Sequence, residues 1–114
     1  MLEFIEFSAF TTRLVALAKD RADDVLLEIQ NDLLENPKRG PVIEGTSGVR
    51  KSRAADPTRG KGKSGGFRYV YYYIERDGQI FLLMVFNKNE RDNLTERQKK
   101  TLSNLIRELR EEGR

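Results

Sequence analysis

The stretch Leu2-Glu3-Phe4-Ile5-Glu6-Phe7 largely alternates apolar with acidic residues, the period of a short strand. From Ser8 the spacing lengthens: Phe10, Leu14, Leu17 and Ala18 recur at helical intervals, and Ser8 is placed to cap them. A second helical stripe follows from about Arg21 to Glu35, with Val25, Leu26, Ile29, Leu33 and Leu34 on one face. Asn36-Pro37 ends it, because proline disfavours helical geometry at the residue before it. Two amphipathic helices so tightly joined predict a helical hairpin lying on a sheet.

Beyond Pro37 the period shortens again. Pro41 to Gly45 supplies at most a very short strand, whereas Gly48 to Ala54 is a better one. Strict alternation there puts Val49, Lys51 and Arg53 on one face and Arg50, Ser52 and Ala54 on the other. Phe67 to Arg76 is rich in aromatic and β-branched residues, and Gln79 to Phe86 is almost continuously apolar. Asp77-Gly78 between them signals a hairpin, and the unbroken apolar run predicts a strand buried on both faces. Thr95-Glu96-Arg97-Gln98 has the form of a capping box opening a last helix, with Leu102, Leu105, Ile106 and Leu109 on its apolar face. The resulting order is β-α-α-β-β-β-α, an α+β fold with helices covering a sheet face, in one domain spanning residues 1–114.

Charge is distributed against this background in an uneven way. Lys38 to Arg68 holds nine of the 21 Lys/Arg and two of the 18 acids, a local charge of +7 on a chain whose other residues sum to −4. Seven of the nine glycines lie in the same stretch, so the cations sit on turn-prone backbone. Concentrated like charge opposes compaction, and a polyanion answers it by exchanging its condensed counterions for Lys and Arg. Nucleic acid, ribosomal RNA, an acidic membrane face and an acidic protein segment all fit that charge; an unpartnered solvated loop is the plainer alternative.

Other absences narrow the chemistry. Neither cysteine nor histidine occurs, which removes disulfides, thiolate nucleophiles, the usual neutral-pH base and the common zinc ligands. Nor do the acids cluster as a magnesium site would require, so no metal or cofactor is expected. No apolar run approaches the roughly 18 residues of a membrane span, and Met1-Leu2-Glu3-Phe4 does not open like a signal peptide, which fits a cytoplasmic protein. Arg59-Gly60-Lys61-Gly62-Lys63-Ser64 superficially suggests a phosphate-binding loop, but its spacing is wrong and a strand follows it. Phe67, Tyr69, Tyr71 and Tyr73 share a strand face that more simply packs than stacks bases, leaving one tyrosine hydroxyl as a candidate site group.

Three motifs in order carry a resemblance. They are Asn36-Pro37 with Gly40-Pro41-Val42-Ile43-Glu44-Gly45-Thr46-Ser47-Gly48-Val49-Arg50-Lys51-Ser52-Arg53; Gly60-Lys61-Gly62-Lys63-Ser64-Gly65-Gly66-Phe67-Arg68-Tyr69-Val70-Tyr71-Tyr72; and Leu82-Leu83 with Lys88-Asn89-Glu90 and Leu94-Thr95. Over nearly the whole chain they resemble the RelE superfamily of type II toxins, in its HigB-like branch. The resemblance implies a small RelE-like fold: an antiparallel-rich central sheet with two N-terminal helices on one face and a C-terminal helix. It also implies an mRNA interferase acting on messages in the ribosomal A site, so that translation stops. A cognate HigA-like helix-turn-helix antitoxin would block it, and the toxin–antitoxin complex would bind operator DNA.

The implied reaction is metal-free: the 2′-hydroxyl attacks the adjacent phosphorus and leaves a 2′,3′-cyclic phosphate. It needs a base, charge stabilisation and an acid for the leaving 5′-oxygen. A lysine acting as base near pH 7 has to give up about 3.4 pK units, roughly 4.6 kcal/mol, and neighbouring cations push it that way. By resemblance, Lys51 is the general base, Arg53 stabilises the phosphate, Arg68 clamps it and Lys88 supplies the acid or further charge. Arg50, Arg59, Lys61, Lys63, Tyr72 and Asn89 are the implied RNA- or ribosome-binding residues. Two positions depart from the founding type, where an arginine stands in place of Asn89 and a tyrosine in place of Thr95. The competing readings are a non-catalytic RNA- or ribosome-binding module descended from such a toxin, and a protein whose basic surface docks an acidic partner.

Overall fold

The computed structural model describes residues 1–56, 66–88 and 94–112. Its elements are β1 (Glu3–Glu6), α1 (Ser8–Ala18), α2 (Ala22–Glu35), β2 (Arg50–Ala54), β3 (Phe67–Ile74), β4 (Gln79–Asn87) and α3 (Glu96–Glu112), in the predicted order. A four-stranded sheet runs β1-β4-β3-β2, with β1 parallel to β4 and the other pairs antiparallel. The apolar strand β4 is therefore internal, as its sequence requires, and β1 and β2 form the edges.

Two apolar clusters sandwich this sheet. On one face Phe10, Leu14, Val25, Ile29 and Leu33 of the helical hairpin pack against Tyr69, Tyr71, Leu82 and Val85. On the other, Ile106 with Leu102, Leu105 and Leu109 of α3 packs against Val49, Val70, Tyr72 and Leu83. Helices thus cover both faces, α3 taking the one that α1 and α2 leave open. The β3–β4 register shifts between Val70 and Tyr71, so that Leu83 and Met84 both join the α3 side while Leu82 and Val85 join the other. An uninterrupted apolar strand tolerates that shift, since either facing buries its side chains.

Local details depart from expectation in places. Ser8 is the first helical residue and makes no cap; Phe7 precedes the helix without a side-chain bond. Leu34 is about half exposed, because it lies a further turn of about 100° beyond Leu33 and so outside the buried stripe. Between β3 and β4 the chain makes a 3₁₀ turn at Glu75–Asp77 closed by Gly78 at φ 64°, a four-residue connection where two residues were expected. The capping box forms as predicted: the Gln98 amide donates to Thr95 Oγ1 at 3.1 Å, and the Thr95 amide to Gln98 Oε1 at 2.9 Å.

A basic cleft at the sheet edge

The edge strand β2 is held in place from its outer side by the segment after α2. Val42 bridges Arg50, the Lys51 amide donates to Pro41 O at 3.1 Å, and the Ile43 amide donates to Val49 O at 2.7 Å. The turn between these short arms closes around buried Thr46, whose hydroxyl donates to Ile43 O at 2.7 Å and accepts from the Val49 amide at 3.1 Å. Just upstream, the buried Tyr71 hydroxyl donates to Pro37 O at 2.9 Å and accepts from the Gly40 amide at 3.2 Å. Gly40 itself has no room for a side chain, since a Cβ there would lie 2.2 Å from Lys51 O. Backbone and hydroxyl bonds therefore fix the position of the strand that carries the cations.

Alternation along β2 sends Lys51 and Arg53, both exposed, to the α3 face of the sheet. The antiparallel register sets Arg53 opposite Arg68 and Lys51 opposite Val70. Two guanidinium groups set opposite one another suit bidentate recognition of a phosphate. The three cations border a cleft of about 830 Å³, walled on one side by Pro41 to Glu44 and on the other by Leu94 and Lys99. Asp56, the acid closest to the cluster in sequence, is buried and faces Arg21 at 3.8 Å rather than the cleft.

The remaining sequence-predicted residues fall in different places. Lys88 is exposed just beyond β4, two residues after Phe86, which pairs with Arg68. Arg50 points the other way and donates to Gly40 O at 2.7 Å and to Lys38 O at 3.2 Å, holding the segment after α2. Tyr72 is buried under α3; Arg110 Nε donates to its hydroxyl at 2.8 Å and the guanidinium lies 5.8 Å from its ring. Arg59, Lys61, Lys63 and Asn89 lie outside the described residues.

The Tyr71 and Tyr72 hydroxyls are held by the segment after α2 and by Arg110, whereas Tyr69 lines the cleft with its hydroxyl buried. Burial pushes Tyr69 up to about 12, and neighbouring Ser52 lowers it without a bond of good geometry among the described residues. Tyr71 is likewise raised by burial. Sequence reasoning missed Lys99, which α3 brings to the cleft from 31 positions beyond Arg68 and which lies within 4.0 Å of Glu96, at 3.6 Å. Its only signal was the capping box, which sets the helix start and hence the phase of Lys99.

The family described as the RelE toxin of the RelE/RelB toxin–antitoxin system matches residues 16–112. The isolated E. coli RelE toxin superposes with a TM-score of 0.57 at 14% identity, covering 96% of this chain and 99% of that one. A chain of the intact E. coli RelBE toxin–antitoxin complex gives 0.56 at 19%, covering 80% and 100%. The archaeal RelE–RelB complex from Pyrococcus horikoshii gives 0.54 at 19%, covering 79% and 98%. At such identities the structural likeness is one of fold.

Proposed function

This chain belongs to the RelE family of toxins, and on that premise we propose that it is an endoribonuclease that cuts mRNA on the ribosome and halts translation. The observation that carries the reading is the convergence of Lys51, Arg53 and Arg68 on one face of a cleft. Three fixed cations suit a reaction whose transition state gathers negative charge on phosphate oxygens.

In the proposed mechanism Lys51 takes the proton from the 2′-hydroxyl, which attacks the adjacent phosphorus. Arg53 and Arg68 hold the non-bridging oxygens, and Lys88 protonates the departing 5′-oxygen. A 2′,3′-cyclic phosphate and a free 5′-hydroxyl result, with no metal needed to balance the step. Arg59, Lys61, Lys63 and Asn89 would extend the contact to RNA or ribosome backbone.

The motif series from Gly40 to Arg53 supports the HigB-like branch, and with it a HigA-like helix-turn-helix antitoxin and a complex on operator DNA. A ribosomal target assigns the protein to the cytoplasm. One observation favours the second reading, a non-catalytic RNA- or ribosome-binding module. Tyr71 and Tyr72 are hydrogen-bonded elsewhere, and Tyr69, although it lines the cleft, keeps its hydroxyl buried, so none presents an exposed acid there.

Primer extension on an mRNA in a reconstituted translation reaction, with and without ribosomes, tests the proposal. Discrete in-frame cuts that require ribosomes and vanish in Arg68→Ala are expected. Intact message in the presence of folded wild-type protein would refute cleavage and leave the binding module.

A further inference from the structure

The cations occupy only part of the cleft face. Two cross-strand rows run over β2, β3 and β4 in register: Arg53, Arg68, Phe86 and Lys51, Val70, Met84. Each row starts with a cation on β2 and ends with an apolar side chain on β4. Neighbours in such a row stand about 5 Å apart at Cβ, so charge gives way to apolar surface within the width of two strands.

The apolar ends do not lie flat under α3. A second cavity of about 350 Å³ opens there, floored by Val70, Met84 and Phe86, and it shares Val70, Phe86 and Leu94 with the basic cleft. The β4 register shift creates this floor, because it turns Met84 to the α3 side together with Leu83. Arg97, Gln98 and Thr101 of α3 form its rim. The cavity is within the size range of small-ligand sites, with an apolar floor and a few polar groups at the edge.

We propose that this cavity seats one nucleobase of the RNA whose phosphates lie on Lys51, Arg53 and Arg68. A nucleotide has the same polarity as each row, with an anionic phosphate at one end and an apolar-faced ring at the other. The base rests on Val70, Met84 and Phe86, and its polar edge faces Arg97 and Gln98, while the Thr101 hydroxyl donates to Arg97 O at 3.0 Å. Continuity with the cation-lined cleft is what selects a nucleotide over an apolar protein segment, which has no use for the cations beside it. The inference rests on the cleft being an RNA-binding site, but not on that RNA being cut.

Binding of 2′-O-methyl RNA hexamers, which cannot react by 2′-hydroxyl attack, tests it by fluorescence anisotropy. A single abasic site is walked through the hexamer for wild type, Thr101→Ala and Thr101→Trp. Thr101 is exposed on α3, so these changes spare the core, and the tryptophan fills the cavity from its rim. Wild type and Thr101→Ala should lose roughly tenfold in affinity at one abasic position, the size of a base-stacking contact. Thr101→Trp should bind the intact hexamer roughly tenfold more weakly and show no further loss at that position. A flat abasic profile in wild type, or a Thr101→Trp profile equal to wild type, would overturn the inference. A flat profile with antitoxin binding lost in Thr101→Trp would also overturn it, assigning the cavity to a protein segment. A positional loss in a protein that leaves mRNA intact supports the base seat while refuting cleavage; cutting with a flat profile does the reverse.

Discussion

Tyr71→Phe isolates the tether that holds the cleft wall. The ring is fully buried and phenylalanine keeps its packing, so only the hydroxyl is removed. With it goes the bond donated to Pro37 O at 2.9 Å, worth about 1 kcal/mol net. The Gly40 amide loses its acceptor at 3.2 Å in a buried position, and a stranded donor costs about 1–3 kcal/mol. Together the loss should be about 2–4 kcal/mol, which for a domain of this size lowers Tm by roughly 8–17 °C. Urea denaturation followed by circular dichroism measures it, and an unchanged m-value shows that the same surface is exposed on unfolding. Because Gly40 abuts Lys51 O, mRNA cleavage by the still-folded variant should fall as well. A stability loss below about 0.5 kcal/mol would refute the reasoning, since the tether would then carry no weight.

Alkali should destabilise the protein through Tyr69, whose pKa rises from 10.0 to about 12 on burial. The folded state favours the neutral phenol, so this contribution is intact below pH 10 and is lost between pH 10 and 12, on the order of 2–3 kcal/mol in all. Thermal melts across that range should fall less steeply in Tyr69→Phe, and identical slopes would count against it. Gly66→Ala should cost upwards of about 2 kcal/mol, because its Cβ would lie 1.9 Å from Ala54 O; a denaturation midpoint equal to wild type would disprove that close approach. Thr95→Ala should cost about 1 kcal/mol and speed amide exchange in the first turn of α3, whereas unchanged exchange would mean the capping box is idle. Affinity for single-stranded RNA should fall with salt at a log–log slope near −2 if three cations meet phosphates, and a slope near zero would remove phosphate from the cleft.

Much of the fold was legible because its signals are local. The order of elements, the stop at Asn36-Pro37 and the capping box each depend on a few adjacent residues. Lys51 and Arg53 were likewise placed on one face by alternation alone. What the sequence did not disclose depends on register and on contacts between distant segments. Arg53 meets Arg68 through a β2–β3 register that no local pattern specifies. The shift at Leu83 is hidden inside a run where every residue is apolar. Arg50 and Tyr72 look like Arg53 and Tyr69 as residue types, yet one clips the segment after α2 and the other anchors α3. Lys99 needed the tertiary fold before it could be set beside the cleft.

A cation cluster on an edge strand faces two hazards, mutual repulsion and an open hydrogen-bonding edge. Pro41 to Ile43 answers the second by covering part of the β2 edge and supplying carbonyls to it. The described contacts that hold this cover and the segment before it include backbone bonds, the Tyr71 and Thr46 hydroxyls, Arg50 donating to carbonyls, and the ion pairs Arg39–Asp32 and Lys38–Glu75. None of these needs a carboxylate partner at Lys51 or Arg53. The ion pairs engage Lys38 and Arg39, upstream of β2, and the strand itself is positioned by neutral acceptors. Arg53 and Arg68 stand opposite one another across β2 and β3, so an anion seated there meets two guanidinium groups at once. That arrangement favours an anion that arrives from outside, and the apolar ends of the same two rows give its uncharged part somewhere to rest.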